Sequence, residues 1–288
     1  MPDFYCPSTL ELIKQYAKVE FYKINDDFSV DKSDYFEKIQ KHRPKIILNY
    51  SYTGFDLDEE DRNRLKNLCT ESTIIIEDYA HKILHHSDIK PLNKNHFYID
   101  SIRKHSPLTG CHVLNKDFKY PADIVDKVNF YKIKCLLLQG LKEFFGLLAY
   151  VFSSTRFYIL SEDVFLKLDD LIGKNKRPTL GSILHYFLYN HLDLKKISNR
   201  QKSLIKRFNE KLPGVDNDMN YYPLFVDEEM QDELLEHLAK KKIFADKLWE
   251  SQGELYNSFL ILPLTWLIRD KDADFISNEI NYFFEKYE

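Results

Sequence analysis

Along the first hundred residues the apolar positions alternate between helical spacing and short β-branched runs. Ser8 and Glu11 have capping-box spacing ahead of a helical stretch over residues 10–17, and residues 19–24 follow as a short apolar strand. A helix over residues 33–42 leads to a strand over 45–50, and a charged helix from Asp58 leads to a strand over 73–76. A further strand, residues 96–99, runs into Asp100 and Ser101. This alternation is that of an α/β layer protein. The unbroken run Ile74-Ile75-Ile76 suits a strand covered on both faces of a mostly parallel sheet.

The second half reads differently. Residues 123–150 form one long helix, with Phe130, Ile133, Leu137 and Leu141 at helical spacing, suited to bridging two lobes. Helices over 161–171, 178–188 and 198–212, a strand over 221–226, another helix and a strand over 259–263 make an α+β lobe. The expected division is a large domain over residues 1–155 and a small α+β carboxyl-terminal domain over 156–288, in keeping with a length of 288 residues. No internal repeat or low-complexity linker interrupts it.

Composition narrows the function classes. With 44% apolar and 30% charged residues the chain is globular rather than disordered. Its 41 basic and 45 acidic residues are interspersed, giving a net charge of -4, which argues against nucleic acid as a partner. The amino terminus lacks a basic region followed by an apolar run, and no stretch reads as apolar enough to span a bilayer, so a cytoplasmic protein without a membrane partner is expected. Cys6, Cys69, Cys111 and Cys135 form no CxxC pair, which points to free thiols rather than a disulfide framework or zinc site.

In open parallel sheets ligands sit beyond the carboxyl ends of the strands, which directs attention to Glu77-Asp78-Tyr79-Ala80-His81 and to Ser101-Ile102-Arg103-Lys104. By spacing alone, Asp78 and Lys104 are as well explained as solvated or mutually paired charges. His81 and His85 have the i, i+4 spacing of helical zinc ligands, but the glutamate of an HExxH site is missing and no metal is expected. Neither GxGxxG nor GxxxxGK[ST] occurs, which sets aside a nucleotide-binding loop.

Glu77-Asp78-Tyr79-Ala80-His81 and Ser101-Ile102-Arg103-Lys104-His105-Ser106-Pro107-Leu108 resemble two motifs of the DegT/DnrJ/StrS family. That family is the sugar aminotransferase branch of the fold-type I enzymes that use pyridoxal 5'-phosphate (PLP). The turn Pro2-Asp3-Phe4-Tyr5-Cys6-Pro7-Ser8, the stretch Tyr50-Ser51-Tyr52-Thr53-Gly54-Phe55, and near the end Lys247-Leu248-Trp249 and Leu260-Ile261-Leu262-Pro263-Leu264 are similar to further parts of it. The resemblance implies a PLP fold-type I large domain with a mostly parallel sheet, followed by the small domain. It assigns Asp78 to the pyridine nitrogen, Lys104 to the Schiff base and proton transfer, Ser101 to the cofactor phosphate and His81 to the ring near its phenolic oxygen. It gives Tyr5 or Cys6 the stacking position, with a core position as the alternative, and Arg103 a phosphate or substrate, with Asp100 as the alternative partner.

Two departures stand beside it. The sequence begins at Met1 directly before the Pro-Asp-Phe-Tyr-Cys turn, so the large domain is expected to be truncated and without the family's amino-terminal phosphate-binding segment. Thr109-Gly110-Cys111-His112 also holds a single glycine where the family often has more. The implied activity is transamination between an amino-acid donor and a keto-sugar nucleotide or related acceptor, in a homodimer. The alternative is a degenerate, non-catalytic homologue that serves as a binding or structural partner.

Overall fold

Three short parallel strands organise the first part of the chain, and burial alternates with period 2 along two of them. The computed structural model describes residues 1–25, 28–51, 57–84, 89–106, 108, 111–115, 129–174, 183–213, 219–247, 259–265 and 268–287. Strands β1 (Ile46–Tyr50), β2 (Ile74–Tyr79) and β3 (His96–Asp100) lie side by side in parallel, and β4 (His112–Leu114) closes the sheet antiparallel to β3. The expected mostly parallel α/β sheet is therefore present. Helices α1 (Pro7–Lys14), α2 (Lys32–His42) and α3 (Glu59–Leu68) alternate with the strands.

Local chemistry explains where these elements start. Asp31 accepts from the Asp34 N–H at the head of α2, and Asp58 accepts from the Asp61 N–H at the head of α3. The expected capping box at Ser8 is corrected: α1 begins at Pro7 with Cys6 at the N-cap, because a proline in the first turn has no N–H to be capped. The expected strand over 19–24 is corrected as well. It contributes only the single bridges Pro2↔Tyr22 and Ile24↔Val30. Two of its backbone donors are taken by side chains, the Lys23 N–H by Asp34 at 2.8 Å and the Ile24 N–H by Asp3 at 3.1 Å, and the Tyr22 N–H goes to the Met1 carbonyl at 3.0 Å.

The strand expected to end at Ile76 continues to Tyr79, and its burial alternates instead of being uniform. Ile75, Glu77 and Tyr79 are buried, whereas Ile74, Ile76 and Asp78 are partly exposed. On the first face a polar chain runs across the sheet. Tyr35 donates to Asn49 Oδ1 at 3.0 Å, and Asn49 donates to Glu77 Oε1 at 3.2 Å. The Leu92 N–H donates to His96 Nδ1 at 3.0 Å, which leaves the ring proton on Nε2 to be donated to Glu77 at 3.1 Å. The His96 ring stacks on Tyr98, which in turn stacks on Tyr79.

Two compact units are present. One comprises Met1–Asp100, His112–Phe118 and Lys195–Glu288, and the other Ser101–Cys111 and Lys119–Leu194. The first unit also holds α7 (Leu194–Asn209) from Lys195 onward, β5 (Tyr221–Phe225), α8 (Glu228–Lys240), β6 (Phe259–Pro263) and α9 (Asp270–Tyr287). The antiparallel pair β5–β6 and these helices bury Leu204, Phe208, Tyr222, Leu234, Leu260 and Phe283. Helix α9 adds an element to the expected lobe; Ala273, Ser277 and Ile280, at i, i+4 and i+7, are its buried stripe.

The second unit is built on α4 (Phe130–Phe152) and α5 (Thr155–Gly173), with α6 (Ile183–Asn190) after them. Helix α4 is capped by Asn129, which accepts from the Lys132 N–H; of the long helix expected over 123–150, residues 123–128 lie outside the described set. Phe145 and Phe157 stack between α4 and α5, and Ser161 donates to the Lys142 carbonyl at 3.0 Å. The expectation that no stretch could span a bilayer is corrected for α4. It is long and apolar enough by length and composition, with a mean hydropathy of 1.5 over its best window, because its charges are confined to Lys132, Lys134 and the adjacent Lys142 and Glu143.

Two stability measurements test this account. Ile75 is fully buried in the core, so Ile75→Ala is expected to lower unfolding free energy in urea by about 2–5 kcal/mol. Asp274 accepts from Arg207 and Lys211, and these hydrogen bonds hold its carboxyl below the usual 3.8, at about 2. Its contribution to stability is therefore complete above its ordinary range and lost as pH falls toward about 2. Wild type and Asp274→Asn should differ in thermal midpoint at neutral pH and converge in strong acid.

Candidate functional site

Asp78 stands next to the last residue of β2, on the face opposite Glu77, and its register partners are Tyr50 on β1 and Ile99 on β3. Because paired residues in a parallel sheet share a face, Tyr50 and Ile99 flank it. The carboxylate is held at both oxygens. The Tyr5 hydroxyl donates to Oδ2 at 2.5 Å and the Ala80 N–H donates to Oδ1 at 2.9 Å. Sequence reasoning expects Asp78 in the loop after the strand; it lies in the strand, where the ladder fixes its backbone.

Tyr5 comes from the segment ahead of α1, whose backbone is tied to residues 22–24 by Asp3 N–H to the Tyr22 carbonyl at 2.9 Å and by the Asp3 carboxylate to Ile24. Phe4 turns into the core against Phe28 and Phe259, and Tyr5 meets Tyr50 edge to face at 5.5 Å. Burial, followed by the charge of Asp78, pushes the Tyr5 phenol well above the usual tyrosine range, so it remains a donor. Cys6, the other residue named for a stacking role, has its Sγ 3.3 Å from Ser8 Oγ. Burial raises this thiol and hydrogen bonds from Ser8 and Thr9 outweigh it, leaving it below the usual range.

His81 is buried after the Tyr79–Lys82 turn. Its Nδ1 donates to Asn220 Oδ1 at 2.8 Å, and its ring meets Tyr50 and Tyr221 edge to face. The backbone repeats the link, since the Asn220 N–H donates to the His81 carbonyl at 2.8 Å. Asn220 and Tyr221 were not anticipated from the sequence. They lie 139 and 140 residues further along, and no local pattern marks them. His85, the other half of the zinc-like spacing, lies outside the described residues, among which no group of three or more metal-binding side chains occurs.

Ser101 and Lys104 belong to the second unit. They bracket a single 3-10 turn, Ile102–Lys104, in which the Lys104 N–H donates to the Ser101 carbonyl at 3.0 Å. Ser101 holds the N-cap place without a side-chain capping bond. The turn is anchored by buried Ile102 and by Ser106, whose hydroxyl donates to the Ile102 carbonyl at 3.0 Å and accepts from the Leu108 N–H at 3.2 Å. Gln139 of α4 donates to the Ser106 carbonyl at 3.5 Å. Arg103 pairs with Asp169 of α5 at 3.2 Å, which corrects the expectation of an Asp100 partner: Asp100 is buried on β3, whereas Asp169 is open to the guanidinium.

A carboxylate oriented by two donors at a strand end suits a protonated ring nitrogen, and a lysine on an anchored turn suits attachment of a carbonyl compound. No family model matches the chain, and no curated protein matches it. Solved structures do. PseC of Helicobacter pylori, described as an aminotransferase involved in the biosynthesis of pseudoaminic acid, superposes with a TM-score of 0.60 at 13% identity, over 99% of this chain and 79% of its own. A DegT DnrJ EryC1 StrS aminotransferase from Brucella abortus gives 0.57 at 16% identity, over 98% and 78%. The histidinol-phosphate aminotransferase from Clostridium acetobutylicum gives 0.56 at 13% identity, over 99% and 77%. The chain therefore shares the fold of these aminotransferases, with its mostly parallel sheet.

Proposed function

We propose that this chain is a PLP-dependent aminotransferase-like protein that moves an amino group from an amino acid to a keto-sugar nucleotide or a related small carbonyl acceptor. The observation that carries the reading is the Asp78 carboxylate, held by Tyr5 and Ala80 at the end of β2 in a fold shared with aminotransferases. The sugar substrate class rests on the motif resemblance and on the descriptions of PseC and the Brucella protein. The homodimer, the cytoplasmic setting and the division near residue 155 belong to the same reading.

When bound, PLP supplies an electron sink for a carbon that loses a proton. The chain's residues would do the rest. Asp78 would hold a proton at the pyridine nitrogen by charge pairing. The Lys104 amine would hold the cofactor aldehyde, then carry a proton between the donor carbon and the cofactor carbon once released. The Ser101 hydroxyl would donate to the phosphate. His81, oriented by Asn220, would flank the ring.

The test is incubation of the purified chain with PLP, followed by borohydride reduction and peptide mapping. A reduced adduct on Lys104 is expected in wild type and its loss in Lys104→Ala, with the circular dichroism spectrum unchanged. Asp78→Asn should retain cofactor and lower turnover by about 100-fold or more. A wild-type chain without an adduct at Lys104 overturns the reading in favour of a non-catalytic scaffold.

A further inference from the structure

Tyr5 does more in this structure than offer a ring for stacking. Its side chain is 5% exposed, and its hydroxyl reaches the Oδ2 of Asp78, 73 residues away, at 2.5 Å. Three features make the contact a built one. The Tyr5 backbone is fixed by the bonds of its neighbour Asp3 to Tyr22 and Ile24. Its ring is braced edge to face on Tyr50, which is the register partner of Asp78 on β1. The second Asp78 oxygen is held independently by the Ala80 N–H. One donor on each oxygen fixes the plane of the carboxylate.

We propose that Tyr5 is a positioning residue for Asp78: its hydroxyl sets the plane of the carboxylate and keeps it ionised before any ligand arrives. This rests on the cofactor reading only as far as Asp78 is the group that meets the ring nitrogen; the Tyr5–Asp78 pairing itself is a property of the chain alone. The charge-assisted bond supports the ionised form of Asp78, and the buried phenol remains protonated because its own ionisation is pushed above the usual range. Among the described residues, the titratable groups near this pair include Cys6 at the head of α1, Tyr22, Tyr50 on β1 and His81 after β2. A phenylalanine at position 5 keeps the ring and its contact with Tyr50 and removes only the donor.

The experiment has one arm without cofactor and one with it. In the cofactor-free chain, carbon-13 NMR of the aspartate side chains should show the Asp78 carboxyl of Tyr5→Phe titrating at least about one pH unit higher than in wild type. The resonance is assigned by its loss in Asp78→Asn, and matched amide spectra show that the fold is retained. An unshifted Asp78 titration in a folded Tyr5→Phe chain overturns the proposal, whatever the cofactor does. In the second arm, binding of PLP by absorbance should weaken about 10-fold in Tyr5→Phe, equivalent to one lost charge-assisted bond. Equal or tighter PLP binding by Tyr5→Phe shows that the hydroxyl competes with the ligand and overturns the positioning role. Absence of PLP binding by both chains counts against the cofactor reading, and the NMR arm then decides the pairing by itself.

Discussion

The parallel register of β1, β2 and β3 is the constraint on which the rest of this molecule depends. Two acids stand side by side on β2, and strand alternation sends Glu77 to one face of the sheet and Asp78 to the other. Register then decides their neighbours, Asn49 and Tyr98 for the first and Tyr50 and Ile99 for the second. A slip of one residue would exchange the faces, placing Glu77 before Tyr5 and removing Asp78 from it. The bulky apolar residues Ile47 and Ile75, both buried on the Glu77 face, make such a slip costly.

The two faces use polar groups in opposite ways. A buried carboxylate is tolerated only where hydrogen bonds replace lost water, and Glu77 receives them from Asn49 and His96 in a chain that continues to Tyr35. That network ties four elements together, α2, β1, β2 and β3. Asp78 is also held by two donors, but it is partly exposed and lies between Tyr50 and Ile99. The first arrangement stabilises the sheet, and the second fixes a partly exposed charge.

The second unit shows a comparable economy. The turn carrying Lys104 is three residues long, too short to hold itself in place. It is fixed from below by Ile102 and Ser106 and from α4 by Gln139, while Arg103 is drawn off to Asp169. The lysine thus rests on an anchored backbone, with the neighbouring positive charge engaged elsewhere.

Local signals were sufficient for much of this. The alternation of helix and strand and the start of the charged helix at Asp58 are written in neighbouring residues, because propensity, capping and period act over a few positions. Tertiary structure decided what depends on residues far apart in the chain. It failed to make a strand of residues 19–24, where the Lys23 and Ile24 donors go to Asp34 and Asp3, and it extended β2 through Asp78 by pairing it with β1 and β3. It also chose Asn220 as the group that orients His81 and Tyr5 as the donor to Asp78, across 139 and 73 residues. A hydrogen bond across such a separation leaves no periodicity for a sequence to display, since either partner alone is an ordinary polar residue and only the packed sheet brings the two within reach.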